Sequence, residues 1–230
     1  MQDNNTDLTA RRSMLVGLGA TMAGAALITA SPANAQTVSS GFQPPRHQVD
    51  SWFDEVPGDH RVFIDTATAL GGAEALVYAF NLFNARQSAY GGEQADFAMV
   101  LCLRHFSTPF AYNDAMWEKY GEVFHSIMQM PDPDTGAAPR VNLMRSTSYG
   151  MRLPNAGVTI DQVLERGVQI AICDAATQFF AGQAAAATGG DAGEIYTEFT
   201  NNAIPGRFVS AGVMALTRAQ EYGYSLLYAG

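Results

Sequence analysis

An α/β sandwich with a mostly parallel sheet is the fold this sequence predicts, on three observations. From His60 onward, short β-rich runs alternate with segments of helical spacing. "FAMVLCL", Phe97 to Leu103, is apolar without a break, as a strand is when helices cover both of its faces. Cap and stop residues also bracket the helical segments, as Thr159 and Gly167 do around "IDQVLER".

The elements follow in order. "HRVFID", His60 to Asp65, reads as the first strand, and "AEALVYAFNLFNARQ" as a helix with Ala75, Leu76, Ala79, Phe80 and Phe83 on one face. Phe97 to Leu103 is the second strand. Asn113 to Phe124 is a helix capped by Asn113 or Asp114, with Trp117 and Tyr120 as core aromatics one turn apart. Residues from about 130 to 158 break the rhythm with the turn chemistry of "PDPDTGAAPR" and read as an insertion. Then come the helix after Thr159, a strand from Val168 to Ile172 and an alanine-rich helix from about Asp174. A helix over Glu194 to Asn202 follows, then a strand in "GRFVSAG", a helix in "VMALTRAQEYG" and a final strand in "YSLLYA".

The N-terminus reads as an export signal. Arg11-Arg12 precedes a Gly- and Ala-rich apolar run, Met14 to Ala30, which closes on Ala33-Asn34-Ala35. That layout resembles a twin-arginine signal cleaved after Ala35, although Phe is commoner at the position of Met14 and no lysine follows. The run is shorter than the ~20 apolar residues that a membrane span prefers, and no later segment could span. The expected organisation is therefore a signal over 1–35, a polar linker or arm over 36–58 and one α/β domain over 59–230. Such export places the protein in the periplasm, where disulfides persist, and carries chains already folded around a cofactor or into an assembly.

Composition narrows the function classes. Hydrophobic residues at 47% and charged residues at 15% are enough for one buried core. A net charge of −9, with a single lysine among thirteen basic residues, leaves no cluster to neutralise a phosphate backbone, which argues against nucleic acid. "ALGGAE" lacks the lysine and the spacing of a phosphate-binding loop.

Ligands in open α/β sheets bind beyond the carboxyl ends of the strands. Three positions fall there: Asp65 to Thr68, Arg104-His105 and Cys173-Asp174. Cys173 stands where a strand hands over to a helix, whose N-terminal partial positive charge favours thiolate, while Asp174 opposes it. The same position equally suits a small buried hydrophobe. Cys102, between Leu101 and Leu103, reads as core. A Cys102–Cys173 disulfide is open to the chain, but it requires Cα atoms within roughly 7 Å, which strands separated by a third would not allow. His105 is a candidate metal ligand, acid–base group or ligand contact, or it ties down the following loop. Cys102-x-x-His105 is a weak metal pattern that His125 could extend; otherwise His125 is a solvated helix end. His47 and His60 have no evident partners, and no cofactor is indicated beyond such a metal.

The final third resembles the DsrE/DsrF-like family of small α/β proteins linked to sulfur relay. The resemblance rests on "GVQIAICDAATQF" and "IPGRFVSAGVMALTRAQEYGYSLLYA", and "LRHFSTPFAYNDAMWEKYG" is similar to an exported subgroup. It implies a three-layer α/β/α sandwich with about five strands, assembled as a trimer or hexamer. It further implies that Cys173 is a carrier thiol accepting a persulfide from a donor protein and passing it to an acceptor. Arg104, His105, Asn113 and Asp174 would then form the ligand pocket. Asp174 beside the thiol, the export signal and the insertion depart from the cytoplasmic relay proteins. The competing expectations are a non-catalytic module holding a small anion or metal around His105, and an oligomeric scaffold.

Overall fold

The computed structural model describes residues 43–93 and 96–230. The export signal and its cleavage point lie outside the described residues. Five strands form one sheet: β1 (His60–Thr66), β2 (Phe97–Leu103), β3 (Gln169–Cys173), β4 (Arg207–Val209) and β5 (Ser225–Ala229). Their order is β4-β3-β2-β1-β5, and every pairing is parallel. The helices are α1 (Trp52–Glu55), α2 (Ala69–Tyr90), α3 (Asp114–Met128), α4 (Ile160–Glu165), α5 (Asp174–Thr188), α6 (Ala192–Asn201) and α7 (Gly212–Glu221). They flank the sheet on both faces, giving a three-layer α/β/α sandwich. Among the described residues no helix is long and apolar enough to cross a membrane.

Alternation along β2 sorts the two faces. Phe97, Met99, Leu101 and Leu103 enter the larger core with residues of α2, α3 and α5, while Ala98, Val100 and Cys102 enter a smaller one with Ala215 and Ala219 of α7. Every residue of β2 is therefore buried, which is why this strand was continuous apolar sequence. Side-chain caps fix where the helices start. Thr68 accepts the Gly71 N–H, Asn113 accepts that of Met116, and Thr159 with Gln162 forms a reciprocal capping box on α4.

Two segments differ from expectation. The stretch expected to be a linker belongs to the fold from its middle onward: Trp52, Phe53 and Val56 are buried in the smaller core. Arg218 of α7 clasps this arm through Asp50 at 2.8 Å and the Pro45 carbonyl at 2.5 Å. A helix as short as α1 has no period to read, and its Trp-Phe pair sits among prolines and charges. The insertion over 130–158 is packed rather than loose, with Leu143, Met144 and Leu153 buried. Asn142 Nδ2 donates to the Phe110 and Tyr112 carbonyls, both at 2.8 Å. Where this segment crosses α3, a Cβ on Gly121 would lie 2.0 Å from the Pro139 carbonyl oxygen, so only glycine permits the approach.

The connections leaving β3 and β4 go to opposite faces. α5 follows β3 onto the larger core and α7 follows β4 onto the smaller one. Between two such diverging connections a crevice opens beyond the strand ends.

Candidate functional site

Cys173 ends β3 in that crevice and is the N-cap residue of α5. Its side chain lies on the same face as that of Ala171, two residues back, and so faces α7. Only 6% of the residue is exposed, yet it borders an open hollow of about 330 Å³. Ala175, Ala176 and Phe179 of α5 wall one side, Ala211, Gly212 and Val213 at the start of α7 the other, and Arg104 and His105 the third. The Gly212 N–H donates to Cys173 Sγ at 3.2 Å. Two helix N-termini thus meet at one sulfur, and both direct partial positive charge toward it.

Arg104 closes this end of the sheet. Its Nε and Nη2 donate to the two carboxylate oxygens of Asp65 at 2.6 and 2.7 Å, a bidentate pair across the tips of β2 and β1. Asp65 is 1% exposed, and its hydrogen bonds hold the Arg104 guanidinium further above its ordinary range, so it stays charged. The aliphatic stem of Arg104 also sets the place of α7. A Cβ on Gly212 would lie 2.5 Å from Arg104 Cβ and 2.7 Å from Cδ, so the N–H that reaches the sulfur sits on a residue that must be glycine. Sequence reading placed Asp65 at a strand end without its partner and left Gly212, Phe179 and Val213 out of the site. These residues lie far from Cys173 in sequence or look like ordinary helix surface, and only the topology brings them together.

His105 lies at the rim, exposed, with φ +53° and its ring stacked on Phe106 at 3.9 Å. It begins a 3-10 helix, His105–Ala111, that turns the chain sharply out of β2. Positive φ is uncommon outside glycine, and histidine is among the residues that tolerate it best.

Two expected pocket residues stand elsewhere. Asn113 does not line the hollow: it caps α3, and its Nδ2 donates to Asn202 Oδ1 at 3.1 Å. Asp174 does not line it either. Its carboxylate accepts from the Gln178 Nε2 and from the Tyr196 hydroxyl, both at 2.6 Å, and is drawn toward α6. Asn113, as the N-cap of α3, turns back to accept the Met116 N–H, while Asp174, the first residue of α5, is held by Gln178 one turn on and by Tyr196 of α6.

The second thiol lies on the adjacent strand and is still not a disulfide partner. β2 and β3 are neighbours, with no strand between them, and Cys102 sits opposite Ala171, two residues short of Cys173. Diagonal neighbours stand about 7–8 Å apart, beyond the usual disulfide reach. Both cysteines are free. Burial pushes the Cys102 thiol well above the ordinary range, and the charges of Asp65 and Cys173 push it further against the opposing Arg104. Cys102 is thereby kept protonated and inert.

Among the described residues no group of three or more His, Cys, Asp or Glu side chains could hold a metal ion. His125 lies on α3, with its Nδ1 buried and unbonded, and His60 sets its ring edge-on to Phe97. A larger hollow, about 790 Å³, is at the other end of the sheet beside Gln169, Ile170 and Gly206, and no cysteine or histidine lines it. No family model, no curated protein and no solved structure matches this chain.

Proposed function

We propose that this protein is an exported sulfur carrier, periplasmic after removal of its twin-arginine signal, in which Cys173 holds sulfane sulfur between a donor and an acceptor. The observation that carries the reading is a sulfur atom lodged at the wall of an open hollow, with a backbone N–H on it and no partner thiol within bonding reach. A thiol meant only to pack would be enclosed, as Cys102 is at 0% exposure. The resemblance to the DsrE/DsrF-like family points the same way, and so does the place of the crevice at the strand ends. Assembly into a trimer or hexamer belongs to the same reading and is supported by exposed Leu226 and Tyr228 on the outermost strand, β5.

The chemistry needs no external oxidant. The Cys173 thiolate attacks a sulfane sulfur of the donor, a new S–S bond forms, the donor's own S–S bond breaks, and the departing thiolate takes up a proton. The Gly212 N–H stabilises negative charge on the attacking sulfur. The test is the intact mass of folded protein treated with a small organic trisulfide, followed by cyanide, which removes bound sulfane sulfur as thiocyanate. Wild type and Cys102→Ser are expected to gain a cyanide-labile adduct and Cys173→Ser none. Equal loading of Cys173→Ser would exclude the carrier role.

A further inference from the structure

We infer that the donor served by this site is an uncharged organic polysulfide, and that the site discriminates against anionic sulfur compounds such as thiosulfate. The inference rests on the carrier reading and adds the chemical class of its substrate.

Charge and lining decide it. The walls that a donor must pass are the side chains of Ala175, Ala176, Phe179 and Val213, which can accept no charge. The guanidinium that lines the hollow is that of Arg104, and both oxygens of Asp65 already hold it, so the pair carries no net charge. The remaining donor at the sulfur, the Gly212 N–H, is committed to Sγ itself. Lysine occurs once in the chain, at Lys119, where it binds Glu198 at 2.7 Å and stands outside the hollow. The exposed imidazole of His105 is at the rim, stacked on Phe106. An anion entering would lose its water and find in return only the partial positive charge of the two helix N-termini, not an unpaired cation, a cost that an uncharged molecule does not meet. The chain's net charge of −9 adds repulsion at longer range. The hollow also has the right scale: about 330 Å³ takes a compact aliphatic molecule, and Phe179 and Val213, 46% and 57% exposed, extend its apolar mouth.

With a dialkyl trisulfide the step balances. The Cys173 thiolate attacks the central sulfur, one S–S bond of the trisulfide breaks as the new one forms, and the alkanethiolate leaves and takes a proton from water. With thiosulfate the same attack expels sulfite, so both donors report on one nucleophile.

The experiment measures the loading rate of Cys173 in the folded Cys102→Ser protein with dimethyl trisulfide and with thiosulfate. Each rate is divided by that of a small uncharged free thiol, so that intrinsic donor reactivity cancels. The normalised preference for the trisulfide is expected to be at least about tenfold, the scale set by desolvating an unpaired charge. Val213→Lys, at an exposed position, places a cation at the mouth and is expected to narrow that preference by raising the thiosulfate rate. A thiosulfate rate equal to or above the trisulfide rate would overturn the inference while leaving Cys173 a carrier. Failure of both donors to load would overturn the carrier reading itself. Preference unchanged in Val213→Lys would show that charge is not what selects.

Discussion

At the scale of single residues, the reactivity proposed for Cys173 depends on a neighbour that has no side chain. Gly212 brings its N–H to 3.2 Å from the sulfur because nothing stands between its Cα and the stem of Arg104. In Gly212→Ala the added methyl meets Arg104 Cβ, and the first turn of α7 must back away. Loss of one hydrogen bond worth about 1 kcal/mol corresponds to roughly a fivefold slower attack by the sulfur. Iodoacetamide alkylation of the folded Cys102→Ser protein reads this directly, and an unchanged rate would mean that the N–H does nothing for the thiol. Cys173 itself was legible from sequence, since the end of an apolar run followed by a helix start is a local pattern. Its surroundings were not, because Arg104, Phe179 and Gly212 arrive from three separate elements. Asn113 was drawn in by the family resemblance and Asp174 by standing next to Cys173, and both proved to be engaged elsewhere, with Asn202 and with Gln178 and Tyr196.

Among elements, the arm that precedes β1 contributes more than its sequence suggested. Phe53 is fully buried, and its carbonyl accepts the Tyr224 hydroxyl at 2.8 Å. Burial pushes the Tyr224 hydroxyl from 10.0 up to about 12, with Arg61 opposing and Asp54 adding to the shift. Its folded value is the raised one, so its contribution is complete below pH 10.0 and fades as pH climbs to about 12. Tyr224→Phe is expected to lower stability by about 1 kcal/mol at neutral pH. Urea unfolding repeated at rising pH should show the gap to wild type closing over that alkaline range, and a gap constant with pH would refute the assignment. The strands were readable because burial on two faces leaves apolar runs, and the helices because caps such as Asn113 and Thr159 announce them. The arm and the 3-10 helix His105–Ala111 escaped for the opposite reason. One is a four-residue helix, the other holds Pro109 and has no helical period.

For the molecule as a whole, the decisive feature is the order β4-β3-β2-β1-β5 with connections that diverge after β3 and β4. Alternating strands and helices told of a parallel sheet, yet local pattern cannot say which strands are neighbours. The same gap left open whether a third strand separates the two cysteines, which in fact lie on adjacent strands. Their different surroundings follow from place alone: Cys102 is sealed within β2 beneath α7, and Cys173 ends its strand against the hollow. The most direct test of the account is residue-level mapping of native, folded wild-type protein after brief exposure to dimethyl trisulfide. The account predicts sulfur added at Cys173 and none at Cys102. A Cys173 that stays unmodified until the protein is denatured, or a Cys102 that reacts as fast, would contradict it.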